Sequence, residues 1–464
     1  MTARSSATVP APQRAIVIGA SITGLLAARV LSERYPEVLL LERDPLPNRA
    51  APRKGTPHAI HPHGLLARGL QVIEDLFPGF TNALLAQGAS TGDIGLGVAL
   101  DTDRRRFARM PLGIGGLAAS RLAIEGELRR RVQALTNVRL LTPVNVIAPV
   151  HEAGRIVGVR LHRSNDTSTE EVLPAELVVD CTGRGSRSPQ WLGDWGYEPP
   201  EEQKVTIGLA YTTAYFRRDP SQPTELSVII GTATPMQPRP YVLITQEPDE
   251  QGQARWVAGM GGYANDHVEA SLEGIRRRAL EVGSAEIAEL AERGELIGSV
   301  MQYHFPHNQR RLYEKMRTFP AGYLVMGDAI ASFNPVYGQG MTVAACEAMA
   351  LRKVLASGTQ RLAGDFFKAA AKVVDVPWQL AVGADLALPQ VPGPRPFPTR
   401  LINAYVGKVQ KVATDDPQVA AAFVKVMHLL ASPQSLFAPA VAWRLLRHRQ
   451  RPPSVASSVV AAAA

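Results

Sequence analysis

AIVIGASITG, from Ala15 to Gly24, is the stretch that most restricts what this chain can fold into. A β-branched run meets a glycine turn and continues into Leu25, Leu26, Ala28, Val30 and Leu31 at helical spacing, which predicts a strand, a tight turn and a helix. Val38–Leu41 predicts a second buried strand, which ends at Glu42. A βαβ unit at the start of the fold commits the later chain to a parallel sheet with helices on its faces. Two later apolar runs, Leu177–Val179 and Tyr323–Met326, read as further strands of that sheet. Each carries an aspartate and a glycine at its end: Asp180 with Gly183, and Gly327 with Asp328.

Between those two strands the period changes. VTIGLAYTTAYF (Val205 to Phe216) alternates, with Val205, Ile207, Leu209, Tyr211 and Tyr215 on one face, and LSVIIG, YVLITQ and ARWVAGMGG come after it at short intervals. This predicts an antiparallel sheet with one apolar face, inserted between elements of the first sheet. After Gly364 the chain is Ala-rich and helical, interrupted by the Pro-dense link PQVPGPRPFP (Pro389 to Pro398). At 464 residues the chain is long for one core. The expected organisation is a flexible tail (1–13), a nucleotide-binding domain (14–80, 117–198 and 312–360), a substrate domain (81–116 and 199–311) and a C-terminal helical segment (361–464).

Composition removes several classes of function. The two cysteines, Cys181 and Cys346, form no framework, which fits a reducing compartment and leaves no cysteine-based zinc site. The first residues have no apolar core, and no uninterrupted apolar stretch is long enough to span a bilayer, so a cytoplasmic location is expected. The net charge is +8, but the arginine clusters at 104–106, 129–131 and 276–278 lack interleaved aromatics and read as solvated faces, not a nucleic-acid site. WRLLRHRQR (Trp443 to Arg451) alternates apolar residues with cations. It reads either as a terminal helix packed on the body or as a weak contact for an anionic membrane surface.

The chemistry lies in two turns some 300 residues apart. GASITG has Ser21 where a dinucleotide fingerprint has its second glycine; serine is small and can itself donate a hydrogen bond. The turn comes after a strand, opens a helix whose free N–H groups favour a pyrophosphate, and is trailed by Glu42 about 20 residues on. An acid there accepts hydrogen bonds from both hydroxyls of an adenosine ribose and repels a 2′-phosphate. Far downstream, Asp328 at a strand end suits a ribityl hydroxyl, and Asn334-Pro-Val-Tyr-Gly-Gln-Gly340 presents N–H groups at a helix start. Those donors suit a ring edge that becomes anionic on reduction, as a flavin's pyrimidine edge does. Glycine at 338 and 340 permits positive φ and leaves no Cβ between donor and ring. Both turns are then the two ends of one noncovalent FAD.

VVDCTGRGSRSPQWL (Val178 to Leu192) forms a third contact, a loop placed to face the flavin and a passing nicotinamide cofactor. Arg121 opens a helix and either reaches the pyrophosphate or ribityl chain or lies on the helix surface. His58, His61 and His63 fall in KGTPHAIHPHGLL without a carboxylate or cysteine and with prolines between them. That pattern reads as a loop over flavin or substrate, with no metal.

Together these residues resemble the FAD-dependent monooxygenases of the para-hydroxybenzoate hydroxylase fold, over most of the chain from Arg14 to about Leu351. GASITG with Glu42 looks like that family's ADP-binding fingerprint, DCTGRGS like its Asp-Gly motif and GDAIASFNPVYGQGM like its Gly-Asp motif. RKGTPHAIHPHGLL, TGRGSRSPQWL and FNPVYGQGM are similar to a bacterial branch that includes the polyether epoxidases of the lasalocid and monensin type. A halogenase-type Trp-x-Trp-x-x-Ile signature is absent, Trp191 and Trp195 being wrongly spaced for it.

The resemblance implies a glutathione-reductase-type, Rossmann-like FAD-binding domain with an inserted antiparallel sheet and a C-terminal helical segment. It implies a single-component monooxygenase in which NADH or NADPH binds transiently as reductant. One oxygen atom from O₂ would go to a lipophilic alkene or an aromatic ring. The rivals are an FAD-dependent reductase of prenyl-chain double bonds and a non-catalytic flavoprotein sensor. The expected cofactor contacts are Gly19, Ser21, Gly24, Glu42, Arg43, Arg53, Lys54, Arg121, Val146, Asp180, Gly183, Gly327, Asp328, Pro335, Gly338, Gln339, Gly340 and Met341. The expected substrate contacts are His61, Tyr211, Tyr241, Met260 and Phe333. No catalytic acid or base is assigned.

Overall fold

The computed structural model describes residues 13–47, 49–163, 166–219, 225–358 and 360–448. Residues 1–12 of the expected flexible tail and the last residues of WRLLRHRQR fall outside these.

Five parallel strands form the first sheet, in the order Tyr323–Val325, Leu177–Asp180, Arg14–Ile18, Glu37–Leu41, Val138–Leu141. Their runs of Val, Leu and Ile are buried because helices Ile22–Leu31 and Gly340–Ala356 pack together over the sheet, while Ile156, Val159 and Leu161 of the strand Arg155–Arg163 join the same core. The register explains why distant motifs meet. Ile18 pairs with both Leu41 and Asp180, and Asp180 with Val325, so the turns at Gly19, Glu42, Cys181 and Met326 leave the same edge of the sheet. Ligands of such sheets bind beyond the carboxyl ends of the strands.

A three-stranded antiparallel sheet of Val144–Glu152, Arg155–Arg163 and Asp166–Pro174 lies within 117–198. The sequence reading had no strands there, because these hairpins carry mixed charged and apolar residues without a clean alternation.

The large sheet has eight strands: Ala331–Ser332, Leu296–Arg311, Glu202–Arg217, Arg255–Gly262, Tyr241–Gln246, Val228–Gly231, Val98–Thr102 and Arg105–Arg106. The expected sheet was wholly antiparallel. Val98–Thr102 pairs parallel with Val228–Gly231, because it is contributed by an earlier part of the chain and not by a hairpin. Helices Leu272–Val282 and Ala285–Arg293 close one face around Phe216, Ile229, Leu243 and Ile275. Register shifts between Thr206 and Leu209 and between Thr213 and Tyr215 break the strict alternation of Glu202–Arg217.

Helices Leu362–Ala387, Phe397–Ala413, Pro417–Met427 and Pro439–Arg447 make the C-terminal segment. Val409, Val412, Val419 and Phe423 share a core with Ile94, Leu100 and Phe107, so this segment is packed onto the large sheet. Among the described residues, no helix is long and apolar enough to cross a membrane.

Candidate functional site

A cleft of ≈ 660 Å³ runs along the carboxyl edge of the parallel sheet, within the ~300–1,000 Å³ range of cofactor and small-molecule sites. One end is built on the first turn. Gly19 has φ +99°, and a Cβ there would lie 2.7 Å from the Cys181 carbonyl oxygen, so only glycine fits. Gly24 does not line the cleft: its Cβ would lie 1.7 Å from the Gly19 carbonyl, so this glycine lets helix and strand pack. Glu42 is buried and accepts from the Ala20 N–H (2.9 Å) and the Asp44 N–H (3.1 Å).

Arg53 stands among three carboxylates, Glu42 (3.3 Å), Asp44 (3.2 Å) and Glu125 (3.0 Å). Burial opposes its charge, but Glu125, Glu42 and Asp44 outweigh burial and keep the guanidinium firmly protonated. Ser21 does not stand free as a donor. Its hydroxyl donates to Glu125 (3.0 Å) and accepts from Arg121 (2.7 Å), so its one proton is committed. Arg121 is not a surface residue: it is buried at the cleft, donates to His58 Nε2 (3.0 Å) and pairs with Glu125 (3.3 Å). Arg43 and Val146 also line the cleft; Lys54 is exposed outside it, because its side chain leaves the loop on the solvent side.

At the middle, Asp328 faces Arg121 and Arg184. Burial pushes its carboxyl above the ordinary range, against the pull of both cations. Gly327 has φ +68° and packs on Thr23, where a Cβ would meet Oγ1 at 2.4 Å; it positions Asp328 without lining the cleft. Asp180 also differs from expectation. It is fully buried and accepts from the Thr182 N–H (2.8 Å) and the hydroxyls of Thr182 (2.6 Å), Ser186 (2.5 Å) and Ser188 (2.5 Å). With those four donors on it, the carboxylate organises its own loop, and Gly183 and Arg184 are what the loop presents to the cleft. Arg184 donates to Ser332 Oγ (3.2 Å) and lies 4.7 Å over the Phe305 ring.

At the far end are Phe333, Pro335, Gly338, Gln339, Gly340 and Met341. Gly338 has φ +62°, whereas Gly340 is helical and needs no special φ; its Cβ would meet only Asp328 Oδ1, at 3.8 Å. The loop is pinned from behind by Asp385 on the C-terminal helix Leu362–Ala387. This fully buried carboxylate accepts from Asn308 (2.6 Å), Asn334 (2.8 Å), Tyr337 (2.8 Å) and Tyr263 (3.2 Å). Burial raises its pKa, and the four donors act against that rise. Beneath Asp328, buried Glu347 accepts from the Gly327 N–H (2.6 Å) and leaves its other oxygen without a partner among the described residues. Burial first, then the nearby Asp328 charge, pushes its carboxyl up to about 8 against that bond.

This end of the cleft opens on a second, apolar chamber of ≈ 170 Å³, and the two share His63, Gly64, Tyr211, Pro335 and Gly338. Leu65, Ile94, Leu117, Val228, Val242 and Met427 are among its walls. His63 Nδ1 donates to the His61 carbonyl (2.8 Å), which leaves Nε2 as an acceptor at the doorway. Burial holds all three imidazoles neutral, His58 down at about 2, His61 at about 4 and His63 at about 3, with Arg121 adding to the shift at His58 and His63.

Of the expected substrate contacts, Tyr211 lines both spaces, Tyr241 the chamber and Phe333 the cleft. His61 and Met260 line neither. His61 is buried behind the wall, bonded to Thr213 Oγ1 (2.8 Å) and edge-on to Tyr211 (5.0 Å), and Met260 points into the core under the large sheet. The sequence reading missed Glu125, Arg184, Tyr303, Phe305, Glu347 and Asp385. For three of these a signal existed: Glu125 lies one turn after Arg121, and Glu347 and Asp385 are lone acids in apolar helical runs.

No protein-family model matches the chain. It is 33% identical over 458 residues to Protein Rv3254 of Mycobacterium tuberculosis (strain ATCC 25618 / H37Rv), across 94% of each chain. Among solved structures it is similar to the flavin-dependent brominase Bmp2 (TM-score 0.62, 14% identity, 89% of this chain and 92% of that one). It is also similar to PqsL, a probable FAD-dependent monooxygenase from Pseudomonas aeruginosa (TM-score 0.56, 16% identity, 89% and 98%). A third likeness is to a variant of Klebsiella pneumoniae HpxO complexed with FAD (TM-score 0.55, 15% identity, 93% and 98%). Parallel sheet, inserted large sheet and C-terminal helices match the fold of these FAD-binding flavoproteins.

Proposed function

The chain belongs to the same family as Protein Rv3254 of Mycobacterium tuberculosis and has the FAD-binding flavoprotein monooxygenase fold, and from that premise we propose that it is a flavin-dependent monooxygenase acting on a lipophilic small molecule. The observation that carries the reading is the apolar chamber meeting the polar cleft at the helix-start loop. A purely structural nucleotide site has no use for a second, apolar space at that point.

The residues present fit FAD. Arg121 Nε, Arg184 Nη2 and Gln339 Oε1 are buried polar atoms without partners among the described residues, and Gln339, Arg121 and Arg184 all line the cleft. Such atoms call for a polar ligand. Glu42 would hold the ribose hydroxyls, the Gly19–Ile22 turn the pyrophosphate, Asp328 the ribityl chain, and the N–H groups before Met341 the ring edge. When bound and reduced, a flavin supplies the activation of dioxygen. The chain's part is to orient and to exclude water. Leu65, Val228 and Val242 would hold an apolar skeleton, Gly64 and Gly338 would let it approach closely, and His63 Nε2 would accept a hydrogen bond from a substrate hydroxyl. The neutral histidines favour an uncharged substrate, an alkene or an electron-rich ring. Epoxidation is the reading that the polyether-epoxidase-like loop Arg53–Leu66 supports.

The test uses purified full-length chain with FAD, NADH or NADPH, and a panel of lipophilic alkenes and phenols. The protein is expected to be yellow with noncovalent FAD and to give a product heavier by one oxygen atom in air and none without O₂. A product formed anaerobically by addition of hydrogen would assign the reductase chemistry instead, and a chain that takes up no flavin would overturn the reading altogether.

A further inference from the structure

The C-terminal segment exposes apolar side chains where it has a packed face available. In Phe397–Ala413, Val409, Val412 and Ala413 are buried, while Phe397 (69% exposed), Leu401 (61%) and Ile402 (52%) face outward. In Pro439–Arg447, Val441 and Leu445 are packed against the core, while Trp443 (54%) and Leu446 (74%) are not. The two helices are in contact, and exposed Phe437, just before the second, stacks on Tyr405 of the first at 4.5 Å between ring centres, one turn from Leu401.

Charge selects the occupant. From Phe397 to His448 the only acids are Asp415 and Asp416. Asp415 is bonded to Arg105 and His448, and Asp416 caps a helix and pairs with Arg444. The outer stripe of the first helix runs from Phe397 and Leu401 to the exposed Lys408 and Lys411, with Arg400 over the Phe397 ring (5.9 Å) and Arg447 over Trp443 (3.9 Å). Aromatic and aliphatic residues rimmed by cations match the interface of an anionic bilayer. The same segment supplies Met427 and His428 to the wall of the apolar chamber.

We propose that this surface docks the protein on an anionic membrane. Phe397, Leu401, Phe437, Trp443 and Leu446 enter the headgroup boundary, and Arg400, Lys408, Lys411 and Arg447 meet lipid phosphates. Docking goes beyond the monooxygenase reading and does not depend on it, because the readout needs neither flavin nor turnover.

The experiment is flotation of the full chain with vesicles of phosphatidylcholine alone and of phosphatidylcholine with phosphatidylglycerol, at low and high salt. The expected result is at least about tenfold stronger partition to the anionic vesicles, reduced by salt. The Leu401→Glu/Trp443→Glu double variant is expected to lose about tenfold or more of that partition. Its thermal midpoint is expected to stay unchanged, because both side chains are exposed. Arg400→Glu/Arg447→Glu is expected to lose the preference for anionic lipid. Equal partition of wild type and both variants overturns the proposal. So does a wild-type dimer in sedimentation velocity that the Leu401→Glu/Trp443→Glu variant dissociates, which would make the surface a contact between copies.

Discussion

Glu347 is the one acid in the helix Gly340–Ala356, and it lies directly under Asp328 with one oxygen unpartnered among the described residues. Folding raises its carboxyl from 4.5 to about 8, so the folded chain holds a proton that the unfolded chain releases across that window. This part of the stability is complete below pH 4.5 and is lost as the pH rises toward 8, on the order of 1 kcal/mol per pH unit. Glu347→Gln cannot lose the proton. Its thermal midpoint is therefore expected to gain on the wild type steadily from pH 5 to pH 8, and a difference independent of pH would show that Glu347 is ionised throughout. Two turns earlier on the same face of that helix, Gly340 has room for a Cβ, which would meet only Asp328 Oδ1, at 3.8 Å. Gly340→Val is expected to keep its thermal midpoint but reduce bound flavin about a hundredfold more slowly, since its side chain displaces the ring from the N–H donors. A normal rate would reduce the turn to a helix cap. Glu42→Ala and Asp328→Ala are each expected to weaken FAD by about tenfold or more, measured by flavin fluorescence, and unchanged affinity in both would relocate the cofactor.

Elements were legible in the sequence where local pattern and tertiary role agreed. The strands at Arg14–Ile18 and Glu37–Leu41 are apolar after their first residue because they are buried there on both faces, and the turn between them needs glycine at a position where a Cβ has no room. The hairpins at 144–174 were not legible, since charged residues such as Arg155, Arg160 and Arg163 obscure the alternation. Within the site, Asp180 and Asp328 have the same local signature, an acid beside a glycine at a strand end. Only the fold tells them apart, because four nearby donors occupy the first and none of those hydroxyls reaches the second. Asp385 is the clearest loss: it meets Asn308, Asn334, Tyr263 and Tyr337 only through long-range packing. Asp385→Ala removes the acceptor from all four, leaving Asn334 Nδ2 only its bond to the Tyr263 hydroxyl (2.8 Å), and a destabilisation of about 2–4 kcal/mol by urea titration, with weaker FAD binding, is expected. Normal stability with normal flavin affinity would mean the loop holds its shape unaided.

Across the whole molecule, the Pro-dense link that sequence marks as a break is part of the packed body. Val391 is fully buried, and Arg395 ties the link to the Leu386, Leu388 and Val391 carbonyls. Limited proteolysis with proteinase K is therefore expected to yield no boundary between residues 388 and 396, and a stable fragment ending there would show a hinge. The doorway between cleft and chamber has a different consequence. Gly64 and Gly338, two of its five residues, have no side chain left to trim, so the opening cannot be widened by shortening them. The chamber walls, built of Leu, Ile and Val from several different elements, can each be resized on their own. Descendants of this chain that acquire new substrates should therefore diverge in the walls while the opening stays as it is. Directed evolution for altered scope has most to gain at Ile94, Leu117, Val228 and Val242.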